Sequence, residues 1–365
     1  MNIFGMTVEE LRAALAPHGI PRFRAAQIAD GIYRHGAVSF DAITNLPKSL
    51  RAELAEHFTV QRPTVVKRLH SADGATIKLL YAFADGQTAE TVLMRHPYGN
   101  AVCVSTQAGC AMGCAFCAST LHGLVRNLTR GEIAAQAIGI ADFLRQEGAR
   151  VDTIVVMGAG EPLENYDNVV GALRLLHEDY VLGLGYRGIT LSTSGIVPGI
   201  ERLADEGIPI SLAISLHAPT DELRSRIMPV NRRYPLADVL RAARHYAART
   251  KRRVTYEYIL IRDVNDGVRE AEQLAALLRG ACVVVGGDTG PTHLSDAVGA
   301  PTLMLMGSWP PARNGLYRQR ENVIEIDRPC RHCMKRVCPL GLDCLDVITP
   351  EQVMARAMPL VSGDA

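Results

Sequence analysis

Nine cysteines stand at positions 103, 110, 114, 117, 282, 330, 333, 338 and 344. Three of them form the run Cys110-Ala-Met-Gly-Cys114-Ala-Phe-Cys117, a C-x3-C-x2-C spacing. A structural zinc site normally takes four protein ligands. Three thiolates this close instead suit a 4Fe–4S cluster with one iron left open, and an open iron can chelate a small molecule through an amine and a carboxylate. A zinc knuckle or plain buried thiols are the bland alternative. Further along lies Gly158-Ala-Gly-Glu161-Pro162, where glycines admit a ligand close to the backbone and Glu161 can accept from an ammonium group. Ser192 and the run Ser215-Leu216-His217 are candidates for ribose and carboxylate contacts. Near the end, Cys330, Cys333, Cys338 and Cys344 could hold zinc, or could simply be thiols of an unrelated tail.

The elements that must position these residues follow from hydrophobic patterning. The apolar runs AVCVST (101–106), TIVVMG (153–158), GITLSTS (188–194), ISLAISLH (210–217) and VTYEYILI (254–261) each read as a buried parallel strand. Helical patterns alternate with them: GEIAAQAIGIADFL, NVVGALRLLHE, PLADVLRAARHYAA and REAEQLAALL. The βα alternation argues for α/β architecture, with function at the C-terminal strand ends whether the sheet closes or stays open. The candidate polar residues do follow the apolar runs. Before this core, residues 1–62 read as short helices, with Leu11, Ala14 and Leu15 on one face and Ile28, Ile32 and Tyr33 on another. After it, ACVVVG reads as a strand able to pair as a sixth in the series, PTHLSDAVGAPTLMLMG as a helix then a strand, and TPEQVMARAMPLV as a final helix capped by Thr349.

Composition sets bounds but names no activity. The 365 residues suit two domains, or one large barrel with an appendage. A net charge of +1, 48% hydrophobic and 21% charged residues exclude a disordered, fibrous or strongly basic chain. The odd cysteine count is a poor disulfide framework, the N-terminus lacks the apolar run of a signal peptide, and no stretch reaches the roughly 18 apolar residues of a membrane span. The expected setting is a reducing cytoplasm.

The cysteine spacing, with aromatic Phe116 before the last cysteine, matches the radical S-adenosylmethionine (SAM) pattern. In that chemistry one electron from the reduced cluster breaks the sulfonium C–S bond and yields a 5′-deoxyadenosyl radical. Longer stretches carry a closer likeness: FRAAQIADGIYRHG, ETVLM, CVSTQAGCAMGCAFCASTLHGLVRNLTRGEI, VVMGAGEPLENYDNV, ITLSTSGIVPGI, LAISLHAP, LRSRIMPVNRRYPL and YEYILIRDVNDG. On these motifs residues 1–280 resemble the RlmN/Cfr family of radical SAM RNA methyltransferases, most closely its RlmN branch. The resemblance implies an α/β fold, a partial (βα) barrel over 63–280, with a helical accessory RNA-binding domain over 1–62. It implies methylation of adenine C2 in 23S ribosomal RNA, with tRNA as a second candidate substrate. In the implied route a methylated protein cysteine gives up a hydrogen, its carbon joins the adenine, a base removes the C2 proton, and a second cysteine releases the adduct through a transient disulfide. Matched by position, Cys110, Cys114 and Cys117 hold the 4Fe–4S cluster. Gly160, Glu161, Ser192, Ser215, Leu216 and His217 contact SAM, Cys103 is the resolving thiol and Glu90 the proton acceptor. The implied partners are the RNA and a reducing protein such as flavodoxin or ferredoxin, with no membrane.

Near Leu278-Arg279-Gly280 the likeness ends. The family continues with an Asn-Pro turn and a segment such as GDIDAACGQL carrying the methylated cysteine, and neither is present here. Residues 281–365 instead resemble the C-terminal end of the heptosyltransferase family, through VVVGGDTGPTHLSDAVGAPTLMLMG and PCRHCMKRVCPLGLDCLDVITPEQV. In that family the turn matching Asp288, Thr289, Gly290 and Pro291, with His293 nearby, meets a nucleotide-sugar diphosphate at a helix N-terminus. Residues 281–365 thus form an atypical C-terminal α/β segment, a seam is expected near 280, and methylation is expected to be impaired. The alternatives are a nucleotide-sugar-binding, glycosyltransferase-like fusion or a catalytically incomplete chimera.

Overall fold

In the computed structural model, residues 1–96, 99–279, 282–334, 338 and 344–362 are described. The expected seam at 280–281 lies outside them. The N-terminal segment folds as α1 (Val8–Leu15), α2 (Phe23–Tyr33) and α3 (Lys48–His57). Thr7 and Glu10 close a reciprocal capping box on α1. Leu11, Leu15, Ile28, Ile32 and Tyr33 turn inward and are almost fully buried, as their helical spacing requires.

An antiparallel meander follows, of β1 (Thr64–His70), β2 (Thr76–Ala82) and β3 (Thr88–His96). Next come β4 (Gly99–Cys103) and a hairpin of β5 (Gln107–Gly109) and β6 (Leu124–Asn127). The chain then alternates through α4 (Arg130–Gln146), β7 (Thr153–Val156), α5 (Tyr166–His177), β8 (Ile189–Thr193), α6 (Val197–Asp205) and β9 (Ser211–Ser215). It continues as α7 (Asp221–Ile227), α8 (Leu236–Thr250), β10 (Val254–Glu257) and α9 (Val268–Leu278). The eight-stranded sheet has the order β1-β2-β3-β4-β7-β8-β9-β10, and the last five strands are parallel. The five apolar runs are thus these five strands. β1 and β10 are its two ends, so the parallel part is a partial barrel rather than a closed one. Helix α6 escaped the sequence reading because Pro198 and Gly199 near its start lower the helical signal.

Residues Met1–Arg95, Gly99–Leu216 and Ser225–Glu257 form one compact unit. The other is built on His217–Arg224 and on the chain from Tyr258 onward. In this second unit β11 (Val284–Gly286), α10 (Gly290–Ala297), β12 (Thr302–Met306), α11 (Pro311–Asn314), β13 (Val323–Glu325) and α12 (Pro350–Ser362) make a small α/β layer. The run read as a possible sixth strand is β11. It pairs with β12 in a separate three-stranded parallel sheet, not with β10. An apolar β-branched run accepts any parallel neighbour that buries it, and the Thr-Leu-Met-Leu-Met strand supplied by its own segment does so. Thr349 caps α12 as its position suggests, its hydroxyl accepting from Gln352 N–H.

Where the parallel ladder stops, buried side-chain amides take over its hydrogen bonds. Gln136 of α4 is fully buried; its Oε1 accepts from Ser105 N–H at 2.9 Å and Thr91 Oγ1 at 2.8 Å, and its Nε2 donates to Ser105 O at 2.9 Å. Ser105 Oγ in turn donates to Glu90 O at 2.7 Å and accepts from Ala159 N–H at 3.0 Å. Replacing the amide by an isosteric hydrocarbon leaves these groups buried and unpaired. Gln136→Leu is expected to lower unfolding free energy by roughly 1–3 kcal/mol, read as the midpoint of urea denaturation; an unchanged midpoint would contradict this role.

Candidate active site

The three-cysteine loop lies between β5 and β6. Gly109, at φ +77°, has Gly123 O only 2.0 Å from where a Cβ would stand, so no other residue fits directly before Cys110. Cys110 N–H donates to Gly123 O at 3.0 Å, Cys117 N–H to Cys114 O at 3.1 Å and Ala115 N–H to Ile227 O at 2.9 Å. The hairpin is held from outside by Arg126, whose Nε meets Asp85 at 2.5 Å and whose Nη1 meets Glu132 at 2.8 Å. That guanidinium brings the exposed Asp85 carboxyl down to about 2.

The next strand end is fastened to this loop by Gln107. Its Oε1 accepts from Glu161 N–H at 2.9 Å and its Nε2 donates to Asn127 Oδ1 at 2.7 Å. Gly160, at φ +107°, lies so close that a Cβ would come within 2.6 Å of Gln107 Cβ. Asn165 completes the stitching, donating to Thr106 O at 2.8 Å and Leu128 O at 2.7 Å.

Seven of the expected residues come together around one cavity of about 350 Å³: Cys110, Cys114, Cys117, Gly160, Glu161, Ser192 and Ser215. Thr193, Ser194, Met228 and Glu257 line it too. Glu161 is buried, and its carboxylate accepts from Thr193 Oγ1 at 2.7 Å, Ser194 N–H at 2.7 Å and Leu163 N–H at 3.1 Å. Burial pushes its carboxyl up, against the pull of those donors. Burial likewise raises the Cys110 thiol, and the charges of Glu161 and Cys117 add to it. Three thiols and a carboxylate gathered on one cavity are a donor set that calls for cationic occupants. A 4Fe–4S cluster fits, because each thiolate binds its own iron and the sulfurs need not converge on a point. Among the described residues no three Cys, His, Asp or Glu side chains are grouped so as to hold a metal ion.

Four expected residues lie off the cavity wall. Leu216 is buried and its N–H donates to Glu257 O at 2.9 Å. His217 belongs to the second unit; its Nδ1 accepts from Ile259 N–H at 3.1 Å and its carbonyl accepts from Asn265 Nδ2 at 2.8 Å. Burial, with the charge of Arg224, brings its imidazole down to about 4, so it is neutral at pH 7. Glu90 is exposed on β3, with both carboxylate oxygens 3.2 Å from Lys78 Nζ. Cys103 is half-buried at the end of β4, its thiol raised by burial against a hydrogen bond from the Met157 backbone.

Sequence reasoning missed Gln107, Gln136, Asn165 and Glu257. Gln136 carried a signal, a lone polar residue in the apolar stretch IAAQAI. Glu257 carried a weaker one, an acid inside the strand run VTYEYILI.

Comparison with known proteins gives these groups a family. A sequence model of the radical SAM superfamily matches residues 104–278, and one of the ribosomal RNA large subunit methyltransferase N-terminal domain matches residues 1–60. A probable dual-specificity RNA methyltransferase RlmN from Symbiobacterium thermophilum is 56% identical over 277 residues, covering 76% of this chain and 74% of the relative. The chain belongs to the RlmN family of radical SAM proteins. Another RlmN-family relative, from Geobacillus thermodenitrificans, is 50% identical over 279 residues, covering 76% of each chain. The crystal structure of a radical SAM methyltransferase from Sphaerobacter thermophilus superposes with a TM-score of 0.78 at 43% identity, over 87% of this chain and 98% of that one. The RlmN-family chain is also similar, over residues 270–342, to glycosyltransferase family 9 (heptosyltransferase).

In that last stretch Asp288 is engaged within the protein. Its carboxylate is 2.8 Å from His293 Nε2 and accepts from Asn314 Nδ2 at 2.8 Å. Of the tail cysteines, Cys330 is exposed and Cys333, Cys338 and Cys344 are half-buried. Burial raises the Cys344 thiol, and the other three cysteines add to it. Among the described residues no helix is long and apolar enough to cross a membrane.

The raised Cys103 thiol yields a prediction. Alkylation by iodoacetamide, mapped by mass spectrometry, should be slow at pH 7 and reach half its maximal rate above the ordinary cysteine value of about 8.5. Half-maximal rate at or below that value would contradict the burial argument.

Proposed function

We propose that this RlmN-family chain is a radical SAM RNA methyltransferase directed at adenine C2, with 23S ribosomal RNA as substrate and tRNA as a second one. The observation that carries the reading is the shared cavity, which joins three thiols, a glycine-rich turn and Glu161 at neighbouring strand ends. The names of the relatives support the substrate class.

When bound, a cluster on Cys110, Cys114 and Cys117 supplies one electron to the sulfonium of SAM. The chain's own groups do the rest. Glu161 takes the ammonium end of the cofactor, and its buried carboxylate is held ready by Thr193 and Ser194. Gly160 lets the backbone approach that end, while Ser192 and Ser215 offer hydroxyls farther along the strand ends. The family pattern would add Leu216 and His217 to the cofactor contacts; both lie off the lining of this cavity. Glu90 accepts the C2 proton on its carboxylate, whose oxygens lie 3.2 Å from Lys78 Nζ. In the family's route Cys103, once its raised thiol has lost a proton, would attack the sulfur of the methyl-carrying cysteine: an S–S bond forms, the bond from that sulfur to the RNA-linked carbon breaks, and the carbon takes up a proton; this chain has no match to that second cysteine, so Cys103 stands here without its partner for the step. A flavodoxin- or ferredoxin-like protein in the cytoplasm is the electron donor. The 1–62 helical domain supplies RNA contacts, and the boundary near 280 separates the radical SAM core from the heptosyltransferase-like tail.

The tail lacks a match to the family's methyl-accepting cysteine, so cofactor cleavage and methyl transfer are expected to part company. Reconstituted protein with dithionite should convert SAM to 5′-deoxyadenosine, and Cys117→Ala should abolish this. RNA from the same reaction should contain little or no 2-methyladenosine by mass spectrometry. No 5′-deoxyadenosine from a fully loaded cluster would overturn the assignment of the cavity; 2-methyladenosine at many turnovers would overturn the reading of the tail.

A further inference from the structure

The cavity has two carboxylates, and they are used differently. Glu161 stands at the thiol end, where its charge raises Cys110, and accepts from Leu163, Thr193 and Ser194. Glu257 ends β10, three strands away across the sheet order β7-β8-β9-β10, or about 14 Å at one strand spacing each. Its Oε2 accepts from Ser192 Oγ at 3.1 Å, at the end of β8, and from Ser215 Oγ at 3.2 Å, at the end of β9. Among the described residues its Oε1 has no donor.

We propose that Glu257 is the ribose-binding residue of this site: its carboxylate, positioned by Ser192 and Ser215, accepts from the vicinal 2′- and 3′-hydroxyls of SAM. This rests on the reading of the cavity as a SAM site. A ligand anchored by its amino-acid end beside Glu161 and the thiols must send its nucleoside along the remaining strand ends, and Glu257 is the acid it meets there. A half-buried carboxylate with one oxygen already fixed and the other open matches a cis-diol, which presents two O–H donors side by side. Each serine donates its proton to Glu257 and keeps lone pairs facing the cavity, so all three side chains can take part in the same network. Neither serine could fill this role alone, because a hydroxyl lacks the charge that strengthens such bonds.

The test is equilibrium dialysis of the cluster-reconstituted protein against SAM and its 2′,3′-dideoxyribosyl analogue. The wild type should bind SAM at least about tenfold more tightly than the analogue. Glu257→Gln keeps an acceptor for the serines and the shape of the side chain. It should lose about tenfold for SAM and little for the analogue. Equal loss for both ligands would overturn the proposal, and so would a wild type that does not distinguish them, a result that needs no variant to fold. A wild type that binds neither ligand would instead strike at the SAM-site reading itself.

Discussion

The carboxylate of Glu161 is buried at the end of β7 and satisfied by Thr193 Oγ1 and Ser194 N–H from the next strand and by Leu163 N–H of its own turn. Such a group would be costly without those donors, since an ionised carboxylate loses much of its hydration on burial. Two of these bonds, from Thr193 and Ser194, fix the spacing of two adjacent strand ends. Gln107 then ties the Glu161 backbone to the hairpin that carries the cysteines, and Gln136 ties that hairpin's approach to α4 and β3. The site is therefore held by a connected set of buried polar contacts, in which one member left unpaired loosens the others.

That arrangement explains why the cavity belongs where it is. At the C-terminal ends of parallel strands the ladder runs out of partners, and the backbone groups beyond it need side chains. Here amides and hydroxyls add to a few backbone bonds beyond the ladder, such as Thr106 N–H to Ala159 O at 2.8 Å and Gly158 N–H to Val104 O at 3.1 Å. They hold the walls while leaving the floor to thiols and carboxylates. A floor of thiols and carboxylates offers ligands for iron and acceptors for an ammonium group, which suits both an iron–sulfur cluster and a sulfonium cofactor with an ammonium end.

Much of this was legible in the residues. The C-x3-C-x2-C spacing, the glycine-rich turn and the serines each sat behind an apolar run, and the runs became the parallel strands in the expected order. The family likeness of residues 1–280 rested on long motifs and agrees with relatives about half identical in sequence. What stayed hidden was tertiary. Gln107, Gln136 and Asn165 are polar residues that each have partners 20 or more positions away, as with Gln107 and Asn127. Glu257 was one acid inside a run read as a buried strand, and its partners Ser192 and Ser215 lie 65 and 42 positions away. The strand Val284–Gly286 could have joined either sheet on its pattern alone, and only the presence of β12 decided between them.

The account stands most directly on the cavity holding a cluster with an iron open to SAM. Electron paramagnetic resonance of the dithionite-reduced, reconstituted protein tests this in one measurement. The account predicts a reduced 4Fe–4S signal whose g values shift when SAM is added, and loss of that signal in Cys114→Ala. A reduced cluster whose spectrum is unchanged by saturating SAM would contradict it.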